Sequence, residues 1–218
     1  MVREMRSRQI IRTEPNPRDK RSNPLIAIPG SPGIGKSTFL CHFPDSKAYT
    51  EYVGYNQKPI VSTLTFNSNM ETLNVVKDAF GLRIIYGAAL AMGLMSKMEW
   101  KWKYFVEQFP LLDLVASDAV RLLKQLLGHS RQILILVDEI SKANNSVNVM
   151  AQLGVVLNEQ SECDVVISSL SPGYVQELLT GSQRPVSYVV LPPMLDSGLG
   201  REECYKWADG LVSNIGVD

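Results

Sequence analysis

Histidine is nearly absent from this chain. His42 and His129 are the only two among 218 residues, which leaves a histidine-built metal site or a Ser–His triad short of parts. Cysteine is scarce too. Cys41, Cys163 and Cys204 are widely spaced, odd in number and without a C-x-x-C pair. They read as buried thiols in a reducing, intracellular compartment, not as a disulfide framework. Formal net charge is zero, so no global field draws the protein to nucleic acid or to a membrane. The longest helical apolar stretch, Ile84 to Met95, contains two glycines and is too short to span a bilayer. No secretory apolar region follows Met1, and no internal repeat is evident.

What remains is ordinary for a globular protein, with 45% apolar and 20% charged residues. The length suits one α/β domain with a full hydrophobic core. The charge is unevenly spread. Arg3, Arg6, Arg8, Arg12, Arg18, Lys20 and Arg21 face only Glu4, Glu14 and Asp19 before Ser22. Residues 1–22 therefore form a basic arm, expected to be a flexible, solvated leader; contact with a phosphate backbone or service as a nuclear address is the alternative.

Gly30-Ser31-Pro32-Gly33-Ile34-Gly35-Lys36-Ser37 matches G-x-x-x-x-G-K-[ST] in full. Glycines at this spacing let the backbone bend so that successive N–H groups converge on phosphate oxygens. Lys36 then reaches the β- and γ-phosphates and the Ser37 hydroxyl meets Mg²⁺, with Thr38 beside it. The context agrees. Pro24 to Pro29 reads as a buried strand, and Lys36 to Phe43 opens a short helix whose N-terminus favours an anion.

Arg131 to Ile140 carries the second half of the site. Ile133-Leu134-Ile135-Leu136-Val137 is an unbroken apolar run, the pattern of a central parallel strand buried on both faces. It ends in Asp138-Glu139, a Walker B pattern. Asp138 is expected to hold Mg²⁺, and Glu139 to orient and deprotonate a water attacking the γ-phosphate. A carboxylate placed there separates an NTP hydrolase from a small-molecule kinase, which has no use for it.

The remaining pattern alternates strand and helix. Strands are expected at Pro59–Phe66, Asp164–Ser169 and Val186–Leu191. Helices are expected over Asn69 to about Met95 with weak points at Gly81 and Gly87, then Trp100–Gln108, Asp113–Leu127, Val149–Gln160, Gly173–Leu179 and Arg201–Ser213. For Asp113–Leu127 the apolar face is read as Leu114, Val115, Ala119, Leu122, Leu123, Leu126 and Leu127. The fold class is α/β, a three-layer α/β/α P-loop NTPase with about five mainly parallel strands. The expected organisation is the arm at 1–22, a core at 23–195 with a helical insert near 69–128, and a C-terminal helix at 196–218 that begins a truncated lid.

The order of elements resembles the additional-strand P-loop ATPases, which include the AAA+ and STAND families. That resemblance implies that the strand after Walker B lies beside the P-loop strand and ends in a polar sensor. Ser168 and Ser169 are the candidates, with Ser169 taken as the sensor. It also implies an arginine that neutralises charge on the γ-phosphate, often from a neighbouring subunit. Arg184, just before the last strand, is the candidate, and Arg83 in the insert is the alternative.

Several stretches are more particular: Pro29 to Ser37, Thr63-Leu64-Thr65-Phe66-Asn67, Leu82-Arg83-Ile84-Ile85-Tyr86, Leu136-Val137-Asp138-Glu139-Ile140-Ser141 and Val190-Leu191-Pro192-Pro193-Met194. Together they resemble the NTPase domain shared by Crinkler effectors and trypanosomatid retrotransposon hot spot (RHS) proteins. The resemblance implies NTP hydrolysis, action in the nucleus and a joined module, often nuclease-like. The length leaves no room for that module or for a helical lid, so a stand-alone or truncated core without its effector domain is expected.

The expected activity is Mg²⁺-dependent hydrolysis of a nucleoside triphosphate. ATP is the expected nucleotide, with GTP open because no residue plainly reads the base. Two alternatives stand beside it. One is a nucleotide-gated interaction switch, acting through a homo-oligomer or another partner. The other is a DNA- or RNA-associated ATPase, suggested by the basic arm and by the interleaved Trp100-Lys101-Trp102-Lys103-Tyr104-Phe105. That segment reads first as an amphipathic helix with its lysines snorkelling off a packed face. No membrane partner is expected.

Overall fold

The apolar runs become the interior of a five-stranded parallel sheet. The computed structural model describes residues 25–54, 58–66, 80–96, 98–109, 113–128, 131–160, 162–179 and 184–191. Its strands are β1 (Leu25–Pro29), β2 (Ile60–Thr65), β3 (Ile133–Asp138), β4 (Cys163–Ser169) and β5 (Val186–Tyr188). They lie in the order β2-β3-β4-β1-β5, every neighbouring pair parallel. β4, which follows β3 in sequence, is thus inserted between β3 and β1, as expected for the additional-strand arrangement. Every residue of β1, β3 and β4 is buried, which is why these segments carry continuous apolar runs instead of alternation.

Successive side chains leave a strand on opposite faces, and the core divides accordingly. Leu25, Ala27, Ile133, Ile135, Val137, Val165 and Ile167 pack on one face against three helices, α3 (Phe80–Ala91), α5 (Ala116–Leu127) and α6 (Ser146–Glu159). Ile26, Ile28, Leu134, Leu136 and Val166 pack on the other. They meet Phe39 and Leu40 of α1 (Lys36–His42), Phe43, and Tyr49 of α2 (Lys47–Val53). Each fully buried aliphatic side chain here contributes on the order of 1.5–3 kcal/mol relative to exposure. A satellite cluster joins Leu82 and Tyr86 of α3 to Trp102, Phe105 and Val106 of α4 (Trp102–Glu107). The last described helix is α7 (Pro172–Leu178).

Several expectations change in detail. α1 ends at His42, and Phe43–Asp45 continues as a 3₁₀ turn through Pro44. α2 was not expected; the Ser46 hydroxyl starts it by accepting from the Tyr49 N–H at 3.3 Å. α5 begins at Ala116, whose N–H donates to Gln152 Oε1 of α6 at 2.9 Å. Its buried stripe is Ala116, Ala119, Val120 and Leu123, whereas Leu122 and Leu126 are exposed. Hydrophobicity alone points the leucines inward, but α3 and α6 approach the small-residue side.

Gly81 and Gly87 are not weak points, because α3 runs through both. A Cβ on Gly81 would lie 2.4 Å from Leu114 O, and one on Gly87 would lie 2.8 Å from both Ser62 Oγ and Thr63 O. Both glycines mark close approach of backbones. β5 is shorter than expected, three residues. The basic arm, residues 67–79, Cys204 and the C-terminal helix lie outside the described residues. Among the described residues no helix is long and apolar enough to cross a membrane.

Candidate functional site

The site lies at the carboxyl end of the sheet, where β1, β3 and β4 finish together. β1 ends at Pro29 and the chain turns through Gly30 to Gly35 into α1. Gly33 (φ 83°) and Gly35 (φ 86°) take left-handed backbone, which glycine adopts without steric cost. The Gly30 N–H donates to Ser169 O at 3.1 Å, tying the loop to β4. Ser31 and Pro32 are exposed at its rim, while Ile34 and Thr38 are half-buried. Ile34 packs on the core beside α1 and so anchors the loop from beneath.

Lys36 is 5% exposed. Its Nζ donates to Gly30 O at 2.7 Å and to Ser31 O at 2.9 Å, so the ammonium folds back over the loop. Burial pushes its pKa below the usual lysine value; Glu139, then Asp138, pull it back up. The ammonium therefore senses both carboxylates of β3's end.

Asp138 is the hub. Ser37 Oγ donates to its Oδ2 at 2.7 Å and Ser168 Oγ donates to its Oδ1 at 2.6 Å. Both carboxylate oxygens are thus engaged by hydroxyls that arrive from different elements. Ser168 Oγ also accepts the Glu139 N–H at 2.8 Å. Ser168 is therefore the serine brought to the carboxylate. Ser169, taken as the sensor, is not: its Oγ donates to Ser171 O at 3.1 Å. Neighbours on a strand face opposite ways, so only one of the two could meet Asp138.

Glu139 has φ 54° and ψ 51°, the left-handed region, and is the one non-glycine residue with positive φ among those described. Such a backbone costs about 1–2 kcal/mol and persists where neighbours over-determine it. Three contacts do so here. Ser168 holds the Glu139 N–H. The Glu139 carbonyl accepts from the Lys142 N–H at 2.9 Å. Lys142 Nζ sits 2.5 Å from Glu139 Oε2. The intervening Ile140 is fully buried and pins the turn. Lys142 was missed in the sequence; only the charge three residues after Glu139 pointed to it.

Arg184, the candidate arginine, is not brought to the phosphate loop of its own chain. It is 6% exposed and donates to Gly154 O at 3.0 Å and to Asn158 Oδ1, both on α6. It also precedes β5, at the amino end of a parallel sheet whose phosphate loop leaves the carboxyl end. Desolvation pushes its pKa down. Arg83 lies against aromatic rings, its guanidinium carbon 4.7 Å from the Trp102 centroid and 5.3 Å from that of Phe66. In the Trp100–Phe105 stretch, Trp102 and Phe105 are packed inward while Lys101 and Lys103 are exposed, the amphipathic arrangement. Cys41 is exposed, against expectation, and Cys163 is buried.

A Walker-type ATPase of Pyrococcus abyssi superposes on the chain with a TM-score of 0.51 and 13% sequence identity, covering 95% of this chain and 62% of that one. The fold is that of the P-loop NTPases. The chain spans less than two thirds of the length of that ATPase. PCH-2 of C. elegans superposes with a TM-score of 0.47 and 16% identity, over 88% of this chain and 41% of that one. No protein-family model matches the chain, and no curated protein does.

The donor set has a clear chemical preference. Among the described residues no group of three or more His, Cys, Asp or Glu gathers to hold a metal. A hydroxyl and a carboxylate, Ser37 and Asp138, converge instead. These two oxygen donors are of the kind that could hold a hard cation such as Mg²⁺.

Proposed function

We propose that the protein binds a nucleoside triphosphate with Mg²⁺ and hydrolyses the bond between its β- and γ-phosphates. The observation that carries this reading is the 2.7 Å contact between Ser37 Oγ and Asp138 Oδ2, which joins the end of the glycine loop to the end of β3. The ATPase resemblance of the fold supports it, and ATP is the nucleotide favoured. The short stretches similar to Crinkler and RHS proteins support placing it in that branch, with a nuclear location.

Each residue then has a task. N–H groups from Gly33 to Ser37 bind phosphate oxygens, and Lys36 exchanges two loop carbonyls for the β- and γ-phosphates. Ser37 and Asp138 would hold Mg²⁺, which would supply charge neutralisation on the phosphates. Glu139 orients a water in line with the γ-phosphorus and takes its proton as the water oxygen attacks. The nucleoside diphosphate leaves with the bridging oxygen. Ser168 positions Asp138 and the Glu139 backbone together. The chain's own contribution is placement and charge.

Equilibrium binding of a fluorescent ATP analogue tests the assignment. Lys36→Ala should lose binding by about a hundredfold, on the scale of a charge-assisted contact to phosphate. Retention of tight binding by this variant would remove the phosphate loop from the account.

A second reading follows from the Lys142–Glu139 pair, which occupies the water-activating carboxylate. In it, the nucleotide shifts an oligomeric or partner-bound state and turnover is slow. Oligomer mass with and without ATP separates the two, since a switch changes mass and a plain hydrolase does not.

A further inference from the structure

The outer edge of β2 borders a cavity apart from the phosphate loop. Its volume is about 320 Å³, within the range of small-molecule sites. Leu64 of β2, Tyr86 and Leu90 of α3 and Trp102 of α4 supply apolar wall, and Cys41 of α1 and Ala91 of α3 are exposed at its margin. Tyr86 and Trp102 meet edge to face, their ring centroids 5.4 Å apart at 67°, so the wall offers flat aromatic surface suited to another ring. None of the residues assigned to nucleotide chemistry lines the cavity.

The polar side of the cavity is backbone. β2 is an edge strand, paired with β3 alone. The Ile60 N–H donates to Gln132 O at 2.8 Å and the Phe66 N–H donates to Asp138 O at 3.2 Å. Alternate residues of a parallel strand turn their N–H and C=O to the same neighbour. The even-numbered residues of β2 therefore serve β3, and Thr63 turns both of its groups outward. Thr63 is exposed and lines the cavity. Residue 87 of α3 lies over it as a glycine. A Cβ there would sit 2.8 Å from Thr63 O, so the missing side chain leaves that carbonyl uncovered. Arg83 also lines the wall, but its guanidinium is already engaged, by the rings of Trp102 and Phe66 and by a further contact. An ionised ligand would give up its hydration against this lining. A neutral ligand with a donor beside an acceptor loses little and matches the Thr63 edge.

We propose that this cavity binds a small, neutral, planar aromatic ligand that carries an N–H next to a C=O, as in a cyclic amide. The rings lie against Leu64, Tyr86, Leu90 and Trp102. The ligand N–H donates to Thr63 O, and its carbonyl accepts from the Thr63 N–H, as a further strand would. The site is separate from nucleotide hydrolysis and stands even if the chain turns over no nucleotide.

Titration calorimetry on the full chain tests this with quinolin-2-one, a neutral bicyclic amide, and 1-methylquinolin-2-one, which has the same body without the N–H. Quinolin-2-one should bind about tenfold more tightly, the difference expected when a hydrogen bond is lost and an acceptor is left covered. Thr63→Pro removes the outward N–H at an edge position where proline is tolerated. It should weaken quinolin-2-one by about tenfold. Ala91→Phe, a change at an exposed position on the cavity margin, should abolish binding of both probes and serves if Thr63→Pro does not fold. Saturating ATP with Mg²⁺ should leave the affinity unchanged. Absence of binding, equal affinity for the two probes, unchanged affinity in Thr63→Pro or binding that survives Ala91→Phe would overturn the assignment. Displacement by ATP would overturn it too, by placing the probe in the nucleotide site.

Discussion

Lys142 Nζ lies 2.5 Å from Glu139 Oε2, closing a three-residue turn at the end of the Walker B strand. The pair holds the carboxylate assigned to water activation, and it does so from a turn that already fixes the Glu139 backbone in a left-handed conformation. Lys142 is partly exposed, so the pair is screened and its net value is about 1 kcal/mol. Lys142→Ala should therefore raise the turnover number by about fivefold, with the nucleotide dissociation constant little changed. Steady-state phosphate release beside equilibrium binding checks this. A fall in turnover would mean that Lys142 holds Glu139 in its working position instead of restraining it.

The two serines at the end of β4 should behave differently. Ser168 donates to Asp138 and accepts from the Glu139 N–H. Ser168→Ala leaves two buried polar groups short of a partner, at a cost of about 1–3 kcal/mol each in place of a made bond. As a residue that orients a metal-binding carboxylate, its loss should weaken the apparent Mg²⁺ affinity by about 10–100-fold. Ser169→Ala loses only a local bond to Ser171 O and should change Mg²⁺ dependence by less than about twofold. A Mg²⁺ titration of phosphate release on both variants decides it.

Gly87 sets the distance between α3 and the edge strand. A methyl there would lie 2.8 Å from Thr63 O, a backbone atom that cannot swing away. Gly87→Ala raises helix propensity by up to about 1 kcal/mol yet adds overpacking of about 1–3 kcal/mol. Net destabilisation of about 1–2 kcal/mol is expected from urea denaturation. A more stable variant would show that helix and strand can separate freely.

The phosphate loop and β3 were legible in the sequence because their chemistry is local. Glycines at fixed spacing, a lysine and a hydroxyl read as one motif, and an unbroken apolar run read as a strand buried on both faces. What escaped was set by distant partners or by backbone conformation. Arg184 matched a family position, yet α6 takes its guanidinium through Gly154 and Asn158. Ser168 and Ser169 are equal in sequence, and the strand's pleat alone chooses between them. Hydrophobicity points Leu122 and Leu126 inward, whereas α5 buries Ala116, Ala119, Val120 and Leu123. The Lys142–Glu139 pair depends on a left-handed glutamate, which side-chain pattern does not announce. Gly81 and Gly87 looked like helix breakers because propensity cannot see the strand and the loop that press against them.

Phosphate release with ATP and Mg²⁺, compared between the unaltered protein and Glu139→Gln, tests the central claim most directly. The amide keeps the size of the side chain but cannot take the water's proton. The account predicts measurable turnover in the unaltered protein and a loss of about 100–10,000-fold in the variant, the usual span of general-base catalysis, with ATP binding intact. Equal turnover in both proteins would contradict the assignment of Asp138-Glu139 as the hydrolytic pair.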